Sequence, residues 1–280
     1  MFVVAIVLVG LLWEAYKAIG PAKGGDVLGM GILPRTNDQV MPHIWTMLSR
    51  LSDPVQRGSD ESVASVVLSG VWYSFRVALA GFTIGIVFGM GIAIVMTRFK
   101  IAERAILPYL VISQTVPLIA LAPLVAGWGG KLQLGSFVWP KWLSVAMLGA
   151  FLAFFPVAVG TLRGLKSPSA ASLELMDSLA SPWHRTLWKL RFPSALPYIV
   201  PALKLGASAS VVGVVVAEIS IGLRGGIGRL IIEYARQATS DPAKVFTSIF
   251  GAALLGLAMA ALVALIDVVL MRNRPKGATA

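Results

Sequence analysis

Hydrophobic residues in this chain fall in long unbroken runs, not in the amphipathic rhythm of a soluble helix or the alternation of a half-buried strand. Six runs approach the roughly 20 residues of helix needed to cross about 30 Å of hydrocarbon. They cover approximately residues 2–19, 71–97, 105–127, 139–161, 197–221 and 245–271. The expected fold is an all-α integral membrane protein with six transmembrane helices, since a helix satisfies its own backbone where water is absent. The first run has no basic stretch before it and no small-residue cleavage site after it, so a retained span is expected. The pattern divides the chain into residues 1–69, a first span plus a polar loop with a short surface helix; residues 70–271, a core of five spans; and residues 272–280, a polar tail.

Composition supports the bilayer assignment. The 280 residues are 57% hydrophobic and 13% charged, against roughly 25% charged in soluble domains, and the mean hydropathy is +0.81. The net charge of +11 fits basic residues flanking spans beside anionic lipid better than it fits a nucleic-acid partner. Arg98, Lys100 and Arg104, then Arg163, Lys166, Arg185, Lys189 and Arg191, then Arg272, Arg274 and Lys276 cluster in short connections. That bias places both termini in the cytoplasm and the segment from Gly20 to about Gly70 outside.

Catalytic chemistry has no evident carrier. There is no cysteine, and the two histidines, His43 and His184, lie too far apart in topology to share a metal. No Gly-x-x-x-x-Gly-Lys-Ser/Thr loop occurs; Gly129-Gly130-Lys131 continues with Leu132. No cofactor or metal site is therefore expected in the chain, and any ATP and magnesium would belong to a partner.

The polar, basic and proline-punctuated stretch from Pro168 to Pro201 interrupts the hydrophobic pattern. Ser167-Pro168 has the chemistry of an N-cap and first helical position, and Glu174 and Asp177 lie one turn apart on the helix that follows. Ser181-Pro182 repeats the signal for a second helix with Trp183, Leu187 and Leu190 on one side and Arg185 and Lys189 on the other. Pro193 is expected to end that helix. By composition alone, a hairpin lying on the membrane surface without a partner is an alternative.

This loop resembles the cytoplasmic loop of ABC importer permeases, where Glu-Ala-Ala is followed by glycine and then by a hydrophobic residue before Leu-Pro. Glu174 takes the glutamate place, Leu175 and Met176 the alanine places, Ala180 the glycine place, and Leu190, Phe192 and Pro193 the ending. A left-handed turn at Ala180 would cost on the order of 1 kcal/mol, which leaves open a turn closed differently with the help of Ser181. Further pieces resemble the nitrate, sulfonate and taurine subfamily: Ser74 to Gly81, Gly85 to Gly91, Val116 to Leu124, Phe155-Pro156, Pro193 to Tyr198, Val215 to Glu218 and Gly226 to Gly228. The resemblance implies a permease with the type I ABC importer fold. It also implies two cytoplasmic ATPases, a second permease copy or relative, and an extracytoplasmic solute-binding protein. The coupling residues it implies are Glu174, Met176, Asp177, Ser178, Ala180, Ser181, Trp183 and Arg185. The expected solute is small and anionic or polar organic; a vitamin precursor, amino acid or metal, or a scaffold that moves no solute, are the rivals.

Candidate path residues follow from the cost of polar groups in a bilayer. They are Ser113, Gln114 and Thr115 ahead of Pro117 and Pro123, where the prolines loosen the helix and a plain kink is the alternative, and Lys204, Ser208 and Glu218 in the fifth span, where Glu218 could instead stabilise the outer gate. Lys204 and Glu218 stand about 21 Å apart on a straight helix, so they mark opposite ends and cannot pair. Lys204 could equally snorkel, and Ser208 and Ser210 could equally serve packing. Glu14 and Lys17, one turn apart in the first span, are expected to pair with each other or snorkel. Arg76 and Asp267 read as interfacial anchors. Gly81, Gly85, Gly89 and Gly91 form a stripe that suits close helix approach.

Overall fold

The computed structural model describes residues 2–27 and 30–271. It is predominantly helical: α1 (Phe2–Ile19), α2 (Ile44–Ser49), α3 (Val63–Arg98), α4 (Lys100–Ser113), α5 (Leu118–Gly129), α6 (Lys141–Leu165), α7 (Ala170–Ser178), α8 (Trp183–Thr186), α9 (Phe192–Ile221), α10 (Ile227–Ala235) and α11 (Pro242–Met271). Two small antiparallel hairpins interrupt the series, β1 (Gly25–Val27) with β2 (Met30–Leu33) and β3 (Gln133–Leu134) with β4 (Phe137–Val138). Among the described residues four helical stretches are long and apolar enough to cross a membrane: Val63–Arg98, Lys141–Leu165, Trp183–Ile221 and Pro242–Val269. The pair α4 and α5 would supply a fifth, and α1 coincides with the first expected run. Residues 272–280, expected as a basic tail, lie outside the described residues.

The third expected span, 105–127, is not a straight helix. It is broken between Ser113 and Leu118 with a bend of 103°. Val116 precedes Pro117, and a residue before proline is pushed out of the helical region; Pro117 itself is extended, with ψ 113°, and caps α5. Ser113 Oγ donates to Leu110 O at 2.7 Å and Thr115 Oγ1 to Ile112 O at 2.8 Å. Both hydroxyls thus bond back to carbonyls of the last turn of α4, a local side-chain-to-backbone bond that competes with helix continuation.

The chain forms two compact units, residues 1–72 with 225–253 and residues 73–224 with 254–280. In the first, the polar groups of α1 anchor the loop that follows. Glu14 accepts from the Ile44 amide at 2.8 Å and lies 2.8 Å from His43 Nδ1. Lys17 donates to Asp38 at 2.6 Å and to the carbonyls of Thr36 and Met41. The expected Glu14–Lys17 pairing is corrected: a folded loop offers each group better-placed partners than the other side chain. The Lys17 ammonium holds the Asp38 carboxyl below its ordinary range. Lys244, only 2% exposed, donates to Val55 O at 2.8 Å and Gln237 Oε1 at 3.0 Å, while Arg50 pairs with Asp241 at 2.8 Å. These bonds compensate the cost of burying the charges.

The second unit is built on backbone approach. Lipid supplies no hydrophobic drive between helices, so close packing of small residues has to provide the attraction. A Cβ added at Gly81 of α3 would sit 2.6 Å from Ala146 O of α6, and one at Gly89 would sit 2.8 Å from Phe154 O. Elsewhere on α6, Gly149 and Gly164 meet Ser210 and Ala195 of α9 in the same manner. The expected glycine stripe therefore packs inside this unit at positions 81, 85 and 89; Gly91 faces open space. Gly81→Ala is expected to lower stability by about 1–3 kcal/mol, whereas Gly91→Ala leaves it unchanged or raises it by up to about 1 kcal/mol. Thermal unfolding of the two variants in detergent checks the contrast.

Candidate functional site

The loop between α6 and α9 begins with a serine cap, but not at the expected residue. Ser169 is the N-cap of α7, and its Oγ accepts from the Ser172 amide at 3.2 Å. Ser167 instead donates to Ser194 O at 3.2 Å, which ties the end of α6 to the start of α9. Arg191 Nη1 makes a second tie, to Leu165 O at 2.8 Å, and so satisfies one of the carbonyls a helix end leaves open. Between these ties α7 buries no residue.

The turn after α7 closes through Ala180, in the left-handed conformation with φ 47°. The Ser181 amide donates to Met176 O at 3.0 Å and the Ala180 amide to Asp177 O at 2.9 Å. This pair of bonds is the Schellman arrangement. A turn closed through the Ser181 side chain is thereby corrected, and so is Ser181 as a cap: α8 is preceded by Pro182 without a side-chain bond, and Ser181 Oγ is buried with no hydrogen-bond partner among the described residues. Two backbone bonds that satisfy helix-end carbonyls outweigh the steric cost at alanine.

Pro193 does not end the second helix. A π turn, Leu187–Arg191, joins α8 to α9, with the Phe192 amide reaching back five residues to Leu187 O. The wider turn makes room for the Pro193 ring, which would otherwise clash with the carbonyl four residues earlier. The helix then continues through Pro197 and Pro201 to Ile221.

Glu174, Asp177, Ser178 and Arg185 are exposed, and Met176 and Trp183 are half-buried. Arg98 lies 5.3 Å from the Trp183 ring centre, within cation–π range. Leu175, Leu179 and Trp188 are each at least 60% exposed. The loop motif takes up Leu175 only as one of its places and leaves out Leu179 and Trp188, although apolar residues at helical spacing within a polar loop could have flagged them.

The intramembrane candidates separate into two groups. Glu218 is fully buried and accepts from Ser74 Oγ at 2.7 and 2.8 Å through its two carboxylate oxygens. Ser210 donates to Ala78 O at 2.8 Å. Both join α9 to α3. By contrast, the exposed face of α9 carries Pro197, Pro201, Lys204 and Ser208. Lys204 is paired with Asp267 of α11 at 2.6 Å, a partner that sequence alone assigns to neither residue. Ser113, Gln114 and Thr115 cluster at the break between α4 and α5, with Gln114 Nε2 3.4 Å from Ser113 Oγ. The bonds of this cluster are made within its own helix end, whereas Glu218 bonds to α3 and Lys204 to α11. Ser74 and Asp267 were invisible as partners because 144 and 63 residues separate them from Glu218 and Lys204.

With this geometry the chain belongs to the family of binding-protein-dependent transport system inner membrane components, whose pattern matches residues 81–275. It is a multi-pass permease subunit of an ABC importer; ATP hydrolysis and solute capture are carried by ATPase and solute-binding partners. The formylaminopyrimidine transport permease of Halalkalibacterium halodurans is 33% identical over 196 residues, 70% of this chain and 74% of that protein. A Bacillus subtilis permease assigned to aliphatic sulfonates is 33% identical over 200 residues, 71% of this chain and 68% of that protein. A solved amino acid ABC transporter chain has a TM-score of 0.56 at 17% identity, covering 73% of this chain and 94% of its own; at that identity the likeness concerns the fold.

Ala180→Gly is expected to stabilise the chain by up to about 1 kcal/mol, since glycine removes the left-handed strain. Ala180→Val should destabilise it, because a β-branched side chain is worse there. Ser74→Ala is expected to cost about 1–3 kcal/mol by removing a buried donor from a carboxylate. Unfolding midpoints of the three variants test both sites.

Proposed function

We propose that this subunit imports a small anionic or polar organic solute as one of a pair of permeases, either two copies or a copy and a relative. In this reading six helices span the membrane, α4 and α5 together forming the third, and both termini face the cytoplasm. Two ATPases, which bind ATP and magnesium, each receive one loop containing α7 and α8, and a solute-binding protein docks on the opposite side. Glu174, Met176, Asp177, Ser178, Ala180, Ser181, Trp183 and Arg185 form or shape the coupling surface. ATP-driven closure of the ATPase pair moves the loops and opens the path outward; hydrolysis resets it.

The observation that carries this reading is α7 itself, a nine-residue helix with no buried side chain, held at its base by Ser167 and Arg191 and closed by a left-handed turn. A short helix is marginal in water without packing, so a partner surface accounts for its form better than solvent does. Leu175, Leu179 and Trp188 offer that partner apolar area, and Glu174 and Asp177 offer it charge. Because α8, the π turn and α9 are continuous, force on the loop is transmitted directly into a spanning helix.

A polar route along the exposed face of α9 is supported by its prolines. Pro197 and Pro201 lack amide hydrogens, so the carbonyls of Pro193 and Pro197 have no donor four residues on. Such carbonyls are tolerated at membrane depth only against protein or a water-filled cavity. Lys204 and Ser208 share that face, and Ser113, Gln114 and Thr115 add polar groups at the other helix break. Glu218 contributes by holding α9 to α3, with its place in the path a structural one. The substrate class rests on the polar organic solutes for which the two relatives are named.

Glu174→Arg tests the loop. Membrane insertion is expected to be retained, while solute-stimulated ATP hydrolysis by the assembled transporter falls about tenfold or more, as charge reversal at a docked surface costs a few kcal/mol. Normal stimulated hydrolysis in this variant would overturn the assignment.

A further inference from the structure

An open cavity of about 1060 Å³ lies where the end of α3, the start of α4 and the base of the loop meet. Lys100, Arg104, Lys166 and Arg191 are on its wall, with Glu103 as its single acid. Glu103 is engaged by Lys166, so the carboxylate neutralises one cation of four. Lys100 and Arg104 are exposed and have no ion pair among the described residues. The Nε of Arg191 is buried without a hydrogen-bond partner among the same residues. Furthermore, α4 begins at Lys100, and its N-cap, Phe99, provides no side-chain acceptor for the first amides. The three cations outside the Lys166–Glu103 pair, with the uncapped amides, favour an anion with several acceptor oxygens.

The cavity is also amphipathic. From Arg104 the wall continues along α4 through Leu107, Pro108, Val111 and Ile112, about 12 Å farther at the helical rise. Val111 and Ile112 are more than half exposed. A free phosphate or an acidic peptide would leave this apolar strip uncovered. A phospholipid would use both parts, its phosphate on the cations and an acyl chain along α4, and basic pockets between membrane helices suit anionic head groups.

We infer that this cavity binds an anionic phospholipid beside the base of the coupling loop. The site is separate from the α9 route, and its occupancy does not depend on which leaflet it faces.

The intact chain, reconstituted in nanodiscs containing phosphatidylglycerol or phosphatidylcholine alone, provides the test. Phosphatidylglycerol should raise the unfolding midpoint of the wild type and remain bound in native mass spectrometry. The double variant Lys100→Gln/Arg104→Gln should unfold like the wild type in phosphatidylcholine, lose the phosphatidylglycerol-dependent rise, and bind that lipid roughly 30-fold more weakly, at two surface charges. Equal lipid retention by the variant would overturn the inference. So would an equal rise produced by inorganic phosphate in phosphatidylcholine discs, which would identify a free-anion site. Loss of a copurifying ATPase with unchanged lipid retention would instead identify a protein dock and would also overturn it.

Discussion

Backbone approach between α3, α6 and α9 is the constraint on which the second unit rests. Apolar side chains gain little from leaving lipid for another helix, so attraction between spans has to come from dispersion at short range and from hydrogen bonds. Gly81, Gly85 and Gly89 of α3 against α6, and Gly149, Gly160 and Gly164 of α6 against α9, permit that distance. The bonds from Ser74 to Glu218 and from Ser210 to Ala78 O are possible because α9 and α3 come so near. A buried carboxylate is costly without such donors. Packing and polar satisfaction are thus consequences of one choice of small residues.

The same helix that is locked on one face is left open on the other. Between Ala195 and Glu218, α9 turns its small and buried residues toward α6 and α3, while Pro197, Pro201, Lys204 and Ser208 remain accessible. The Lys204–Asp267 pair neutralises a charge on the accessible side. In the proposed function, a rigid inner face beside an accessible one that carries both polar and apolar groups suits α9 to transmit loop motion along the helix. The π turn preserves this continuity, since an ordinary proline stop at Pro193 would have disconnected the loop from the span.

Much of the fold was legible because its signals are local. Run length located the long apolar helices, with α1, α6, α9 and α11 close to their expected bounds, and glycine spacing identified the packing stripe at positions 81, 85 and 89. Glu174 and Ala180 identified the loop through their spacing. The errors share another origin. Proline's local rule predicts a stop at Pro193 because it omits the five-residue back-bond that accommodates the ring; the prolines of segment 105–127 predict a loosened or kinked helix, but hydropathy carries no information on the size of the bend. Ser167 and Ser181 have cap chemistry, but position decides which serine reaches an amide, and Ser169 does.

What the sequence by itself determined is the material: membrane-length apolar runs, a basic loop between them, small residues at helical spacing, and the absence of a phosphate-binding motif, all of which depend on residue type and near-neighbour order. Only the tertiary structure decided the partners. It placed Glu218 against Ser74, Lys204 against Asp267, and Lys17 and Glu14 against the loop instead of each other. Those choices depend on which helices approach within hydrogen-bond reach, and that distance is set by packing across stretches of chain between which the sequence carries no local signal.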